Sequence, residues 1–116
     1  MSRARAERGG RRAETLAAWW LRLKGWTILG RRVRTPVGEV DLVARRGRTL
    51  AFVEVKARAT REEADFSLDD YRLRRVAAAA EALAHRYARV GDDVRIDALF
   101  IVPRRLPRHL PNVWRG

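Results

Sequence analysis

The sequence predicts an α/β fold in which a central mixed sheet, with elements in the order αβββαβ, is flanked by helices. Two stretches, residues 13–24 and a second one ending near residue 89, carry apolar residues at helical spacing. Between them, short apolar runs separated by turn residues predict three successive antiparallel strands. A last apolar run, residues 94–102, follows the second helix and is expected to rejoin the sheet as a buried strand.

Length and composition indicate a single domain, residues 1–116, with one core. A hydrophobic content of 47% with 34% charged residues describes a folded protein. The absence of cysteine excludes disulfides, zinc–thiolate sites and cysteine nucleophiles. No run approaches the ~20 apolar residues of a membrane span, and the basic amino terminus lacks the apolar segment of a signal peptide. We therefore expect a cytoplasmic protein with no membrane partner.

The net charge of +12 predicts a polyanionic partner. Nearly all of the excess is arginine, whose planar guanidinium matches the geometry of phosphate, so nucleic acid, above all DNA, is the expected partner. The alternative is a solvated surface in a protein of arginine-rich composition.

The first helix is expected over residues 13–24 because its apolar residues recur at helical spacing: Leu16, Trp19, Trp20 and Leu23. Gly25 follows as a stop signal. The two tryptophans are predicted to pack in the core rather than to stack on nucleic-acid bases. The preceding residues 1–12 are predicted to form a mobile basic arm.

Residues 38–58 (GEVDLVARRGRTLAFVEVKAR) predict a β-hairpin whose turn contains Gly47. Strand alternation puts Glu54 and Lys56 on one face of the second strand. A two- or four-residue loop would place Asp41 opposite Glu54 or Phe52, on that same surface, whereas a three-residue loop would separate them. Two carboxylates whose Cβ atoms lie ~5 Å apart favour a cation between them. The predicted cation is Mg²⁺ or Mn²⁺.

The same residues would also fit the solvent face of an amphipathic hairpin, with Lys56 as a surface ion pair. Composition argues against this interpretation, because only two of the 26 basic residues are lysine. A basic position without a special task would almost always be arginine in this chain. Lysine is a compact point charge whose pKa moves on burial, which suits contact with a catalytic water or a scissile phosphate.

Asp41 followed by Glu54-Val55-Lys56 resembles the Asp…Glu-x-Lys core of the PD-(D/E)XK nucleases. The longer string over residues 38–58 resembles the YraN-like family of small uncharacterised bacterial proteins, which is similar in motif to archaeal Holliday junction resolvases. The resemblance implies a restriction-endonuclease-like fold and metal-dependent hydrolysis of DNA, with branched DNA as one candidate substrate. It also implies a homodimer, since junction cutters of this type act as two-fold dimers.

The same resemblance implies catalytic roles for Asp41, Glu54, Lys56 and Glu14. The metal would be held by Asp41, Glu54 and the carbonyl of Val55, all of them oxygen ligands. Glu14 also has a simpler explanation, because an acid in the first turn of a helix is favoured by the helix dipole.

Arginines near the start of the second helix and after the hairpin are candidate contacts to nucleic-acid phosphates: Arg58, Arg72, Arg74 and Arg75. The alternative for them is ordinary solvation. Ser67 or Asp69 is expected to cap this helix. Asp97 interrupts the last strand, and an arginine is the expected partner rather than the metal. The proline-rich tail, residues 103–116, is predicted to be irregular.

Two non-catalytic functions fit the same residues. One is a nucleic-acid-binding module that keeps the nuclease fold without turnover. The other is an adaptor of a DNA-processing complex, whose basic surface recruits a larger enzyme.

Overall fold

Two helices and five strands form the computed structural model of the chain, which describes residues 3–58 and 70–114. The helices are α1 (Arg3–Leu23) and α2 (Asp70–Tyr87). The strands are β1 (Thr27–Thr35), β2 (Gly38–Arg46), β3 (Thr49–Ala57), β4 (Asp93–Ile101) and β5 (Arg108–Leu110).

All five strands belong to one sheet, in the spatial order β1-β2-β3-β4-β5. The first three strands pair antiparallel, as predicted, and β5 pairs antiparallel with β4. Strand β4 lies parallel to β3, because the chain crosses back through α2 between them. The predicted mixed sheet is therefore confirmed, with β4 between two neighbours.

The turn of the β2–β3 hairpin fixes the register of the sheet. Arg46 pairs with Thr49, which leaves the two-residue loop Gly47-Arg48, and Gly47 has a φ of 60°. Glycine adopts this left-handed conformation without the steric cost that a side chain would add. A two-residue loop is one of the two loop lengths that were predicted to put Asp41 and Glu54 on the same surface.

Apolar clusters cover both faces of the sheet, because neighbouring residues of a strand point to opposite sides. One cluster joins α2 to the sheet through Leu73, Val76, Leu83, Leu50 and Phe52, among others. The second joins α1 to the opposite face through Ala17, Ala18, Leu21, Ala51 and Val53, among others. The apolar stripe predicted for α2 lies in the first cluster.

The face of α1 that packs on the sheet differs from the predicted one. The buried apolar residues are Ala13, Ala17, Ala18 and Leu21, whereas Leu16, Trp19 and Leu23 are exposed and Trp20 is half-buried. Alanines let the helix approach the sheet closely, and the bulky residues are left on the neighbouring faces. The prediction that Trp19 packs in the core is wrong.

Helix α1 begins earlier than predicted and ends where predicted. It starts at Arg3, so residues expected to form a mobile arm are helical, and Glu14 lies in the middle of the helix rather than in its first turn. The helix-dipole explanation for Glu14 is therefore wrong. At the other end, Gly25 has a φ of 90° and donates to the carbonyl of Arg22, while Trp26 donates to that of Leu21. These two hydrogen bonds form a Schellman cap.

The tail after β4 is more regular than predicted, because residues 108–110 form β5. Buried Asp97 on β4 holds this segment. Its carboxylate accepts hydrogen bonds from Arg95 Nε (3.0 Å) and the backbone N–H of Asn112 (2.9 Å), and His109 Nε2 lies 2.7 Å away. The expected arginine partner is confirmed. The predicted cap residues Ser67 and Asp69 lie outside the described residues.

Over the part of the chain that the structure describes, neither helix is long and apolar enough to cross a membrane.

Replacing Asp97 with Asn is expected to lower the free energy of unfolding at pH 7 by about 2–4 kcal/mol, since a buried charge-assisted network is broken. Burial raises the pKa of Asp97, but hydrogen bonds from His109, Asn112 and Arg95 outweigh it and hold the pKa below its ordinary value. The contribution is therefore complete above the unfolded-state pKa of ~3.9 and is lost as the pH falls below it.

Urea denaturation at pH 7 and pH 3 would test this expectation. Asp93→Asn, an exposed acid on the same strand, is the control. Equal unfolding free energies for the wild type and Asp97→Asn at pH 7 would contradict the assigned role.

Candidate active site

The site is built where β2 and β3 separate. Their pairing runs from the turn to Leu42 opposite Val53, which places Asp41 opposite Glu54 at the next step. There, the backbone N–H of Val55 donates to Oδ2 of Asp41 at 2.8 Å. A side-chain carboxylate thus takes the place of a backbone acceptor, and the next rung of the strand pairing is missing. The opening leaves Asp41 between the two strands.

Strand β1 has an unusual backbone conformation next to Asp41. Pairing steps from Arg31 opposite Leu42 to Val33 opposite Val40, and Arg32 between them has a left-handed φ of 50°. On β2, Val40 and Val43 pack in the same cluster beneath α2 although they are three residues apart, while Leu42 packs on the opposite face. The alternation of side chains along β2 therefore breaks once, between Val40 and Leu42. A non-glycine residue in this conformation is uncommon and often marks a functional site.

Glu54 projects beneath α2 and is almost completely buried. Its Oε1 lies 3.3 Å from Nζ of Lys56 and 3.0 Å from a terminal nitrogen of Arg72. Neither contact has hydrogen-bond geometry, and Oε1 has no hydrogen-bond partner among the described residues. A buried carboxylate oxygen without a hydrogen bond is costly, and a further cation would relieve that cost.

The acids depend on one another electrostatically. The pKa of Asp41 is raised from 3.8 to about 7, first by burial and then by the negative charge of Glu54, while the hydrogen bond from Val55 opposes the shift. Glu14 and Glu39 also contribute to the increase. The charges of three other carboxyl groups therefore act together at Asp41, and a cation bound beside it would lower its pKa.

Lys56 is the buried base of the site, with a side chain only 3% exposed. Burial lowers its pKa, the neighbouring Glu54 opposes that shift, and Arg72 and Arg58 add to it. The direction agrees with the expectation that lysine was placed here because its pKa responds to burial.

Two arginines of β1 neutralise the outer acids. Buried Glu14 of α1 pairs with Nε of Arg32, and the more exposed Glu39 lies 3.4 Å from Nε of Arg34. Sequence reasoning did not identify Arg32. The signal was available, however: continuing the β1–β2 pairing from the turn at residues 35–38 sets Arg32 opposite Asp41.

Of the predicted phosphate contacts, only some meet the acids. Arg72 and Arg75 lie one helical turn apart and line a cleft of about 190 Å³ with Glu39 and Glu54. Arg74, two positions from Arg72, is exposed on another side of α2 and does not line this cleft. Arg58 follows β3 and lines a different groove, described below.

Gly38 explains how closely α2 approaches β2. A Cβ atom at this position would lie 2.8 Å from the backbone carbonyl oxygen of Arg75, which is closer than real contacts allow. Glycine at position 38 thus lets α2 hold Arg72 and Arg75 above the acids.

The available donors are oxygen atoms. Across the described residues, no three acidic, histidine or cysteine side chains form a ready metal site. The set expected from the sequence contains two carboxylates, Asp41 and Glu54, and one backbone carbonyl. The carbonyl of Val55 points to the same side of β3 as its N–H group, and therefore toward Asp41. Such a set suits Mg²⁺ or Mn²⁺, which accept water or phosphate oxygens at their remaining positions. With Oε1 of Glu54 lacking a hydrogen bond, the residues fit a divalent ion.

Comparison with known proteins agrees with this architecture. A match to the family described as "Uncharacterised protein family UPF0102" covers residues 13–101. The UPF0102 protein of Sphingopyxis alaskensis is 66% identical over 99% of both chains. That of Rhizorhabdus wittichii is 61% identical over 98% of this chain and 97% of its own.

Among solved structures, the chain is similar to Hjc of Archaeoglobus fulgidus, a Holliday junction resolvase, with a TM-score of 0.62 and 22% sequence identity. The match covers 86% of this chain and 73% of the other. The restriction-endonuclease-like fold and the resemblance to the YraN-like family are thereby confirmed.

Replacing Asp41 with Asn is expected to stabilise the metal-free protein at pH 8. Because the pKa of Asp41 rises from 3.8 to about 7 on folding, the folded protein holds a proton that the unfolded chain has lost between these values. The free energy of unfolding therefore falls as the pH rises through this window. Asparagine carries no charge and still accepts the hydrogen bond from Val55, so the gain at pH 8 should be on the order of 2 kcal/mol.

Denaturation in EDTA from pH 4 to pH 8 measures this effect, with Glu39→Gln as the control for an acid that is more exposed. A pH profile that is the same in Asp41→Asn as in the wild type would contradict the raised pKa.

Proposed function

Because the chain belongs to the UPF0102 (YraN-like) family and has a restriction-endonuclease-like fold, we propose that it is an endonuclease that hydrolyses phosphodiester bonds in DNA with Mg²⁺ or Mn²⁺. One observation carries the proposal: Asp41, Glu54 and Lys56 converge where β2 and β3 separate. The pKa of Asp41, raised to about 7 by burial and by the charge of Glu54, supports a divalent ion there.

Asp41, Glu54 and the carbonyl of Val55 would hold the ion. When bound, Mg²⁺ or Mn²⁺ would polarise the phosphodiester and lower the pKa of a coordinated water. The role of Lys56 is to orient the attacking water and to stabilise the negative charge that develops on the phosphate oxygens, which its buried ammonium group can do at low solvent exposure. Glu14, held by Arg32, completes the acidic site from α1.

The arginines supply the contacts to the substrate backbone. Arg72 and Arg75 line the cleft above Glu54 and are placed to bind phosphates beside the scissile bond. Arg58, and Arg74 on the outer side of α2, would hold phosphates farther along the strand. The net charge of +12 supports an affinity for nucleic acid that decreases with salt.

Branched DNA is the first substrate to test, because the structurally similar Hjc is a Holliday junction resolvase. Symmetric cutting of a four-way junction would need a two-fold homodimer. With DNA as its substrate, the protein would act in the cytoplasm.

A nucleic-acid-binding module without catalysis is the second candidate, and the adaptor of a DNA-processing complex is its variant. The observation in its favour is that Lys56 and Arg72 already lie at ion-pair distance from Glu54. These two cations already compensate the negative charge of Glu54, so a metal ion would stabilise this carboxylate less. Calorimetric titration separates the candidates, since a pure binding module need not take up Mg²⁺ or Mn²⁺.

Purified protein with Mg²⁺ or Mn²⁺ is expected to cleave at least one of four labelled DNAs: a four-way junction, a flap, a duplex or a single strand. Asp41→Asn and Lys56→Ala should each reduce cleavage at least about a hundredfold, because each removes a group that acts on the transition state. Binding to the same DNA, measured by fluorescence anisotropy in EDTA, should be largely retained. The exposed Arg48→Ala, at the hairpin turn, is the control for a lost surface charge. The catalytic hypothesis would be rejected if none of the four DNAs is cut with either metal, or if Asp41→Asn cuts as well as the wild type.

Arg72→Ala is expected to tighten Mn²⁺ binding while weakening DNA binding. The guanidinium 3.0 Å from Glu54 competes with a metal for the same carboxylate oxygen. Its side chain is 59% exposed, so the gain should be about two- to fivefold, the range of an exposed ion pair. Isothermal titration calorimetry measures the affinity, with Arg74→Ala as the matched control on α2. A weaker affinity for Mn²⁺ in Arg72→Ala would show that Arg72 supports the metal site rather than competing with it.

A further inference from the structure

An apolar groove of about 730 Å³ lies beside the outer face of α1. Its floor contains Leu16, Trp19, Trp20 and Leu23 from the helix, and its far wall is formed by the segment after β4, including Pro103 and Pro107. Trp19 is 59% exposed and Leu23 is 79% exposed. Leu16, Trp19 and Leu23 are the bulky residues that α1 does not bury against the sheet, while half-buried Trp20 packs at the edge of the core.

Four arginines line the same groove: Arg12, Arg58, Arg104 and Arg105. Among the described residues that line it, none is acidic. An apolar floor surrounded by positive charge complements a ligand that carries anionic groups along one edge and planar apolar rings along the other.

We propose that this groove binds an unpaired strand of the nucleic-acid substrate, with a base stacked on Trp19 and the phosphates held by the arginines. The inference rests on the proposed function and names the form of its substrate: DNA with a single-stranded segment next to the bond that is cut. Arg22 already lies over the ring of Trp19, 5.2 Å from its centroid, and supplies a further positive charge beside the stacking position.

The positive charge of the groove argues against a second copy of the chain as its ligand. An isologous dimer through this groove would set the four arginines against the same four residues of the partner, in a protein of net charge +12. A closed duplex fits less well, because its base faces are hidden in the stack and only its phosphates could reach the arginines.

The position of the groove favours nucleic acid over an acidic apolar peptide as its ligand. The groove is lined by Ala57 and Arg58, directly after Lys56 on β3. The groove on the α1 side and the cleft at Glu54 on the α2 side therefore lie on opposite faces of the same end of β3, where one strand of nucleic acid could contact both.

The test compares two substitutions at Trp19 in the full-length protein. Binding of fluorescein-labelled single-stranded dT15 and of a 15-base-pair duplex is measured by anisotropy in EDTA. Trp19→Leu keeps an apolar side chain but removes the aromatic ring, and should weaken dT15 binding by between about fivefold and about a hundredfold, the loss of one stacked base. Trp19→Phe should largely retain it. Duplex binding should change less than twofold in both variants.

The charge part is tested by Arg104→Ala combined with Arg105→Ala, which should weaken dT15 binding more than Arg48→Ala at the opposite end of β3. Unfolding curves of all variants check that the fold is kept. Unchanged dT15 affinity in Trp19→Leu would overturn the proposal. The proposal would also be overturned if the variants changed the sedimentation mass but not the dT15 affinity, which would identify a contact between copies. A third contrary result would be that the variants weaken binding of an acidic leucine-rich peptide but not of dT15.

The inference and the proposed function can fail separately. If no metal-dependent cleavage is found and dT15 binding still depends on the ring of Trp19, the groove is a strand-binding site of a non-catalytic module. If cleavage is found and dT15 binding is indifferent to Trp19, the groove inference alone is wrong.

Discussion

The hydrogen bond from the backbone of Val55 to the carboxylate of Asp41 is the interaction on which the candidate site depends. In a continuous antiparallel pair, the N–H of Val55 would donate to the backbone of β2. Here the carboxylate of Asp41 accepts this hydrogen bond instead, so the pairing of β2 with β3 ends and the two strands separate at the level of Glu54. The carboxylates of Asp41 and Glu54 lie close enough there for the charge of Glu54 to raise the pKa of Asp41. The left-handed conformation of Arg32 accommodates the same irregularity on the other side of β2.

The site concentrates negative charge and then neutralises most of it. Burial, followed by the charges of Glu54, Glu14 and Glu39, raises the pKa of Asp41 to about 7. Arg32, Arg34, Lys56 and Arg72 each pair with one of these acids. The raised pKa of Asp41 and the oxygen of Glu54 without a hydrogen bond are the two features that support our proposal of a functional site here. Proteins commonly accept lower stability at such sites in return for activity.

The two faces of α1 divide its roles. Its alanine face packs on the sheet and carries Glu14 toward the acids, while its leucine and tryptophan face lines the basic groove. On the opposite side of the sheet, Gly38 lets α2 come close enough to bring Arg72 over Glu54. The helices therefore do more than cover the sheet, because α2 brings Arg72 to Glu54 and α1 brings Glu14 to Arg32 on β1.

The sequence by itself determined the sheet and the hairpin, because these follow from local patterns and from a turn that glycine at position 47 makes short. It also singled out Lys56, since lysine is rare in a chain rich in arginine, and the structure buries this lysine 3.3 Å from Glu54. Only the tertiary structure decided which face of α1 is buried: hydrophobicity favoured Trp19 and Leu16, but close approach to the sheet favoured alanine. The contacts of Arg32 with Glu14 and of His109 with Asp97 were likewise decided in three dimensions, because each joins residues from different elements that no local pattern relates.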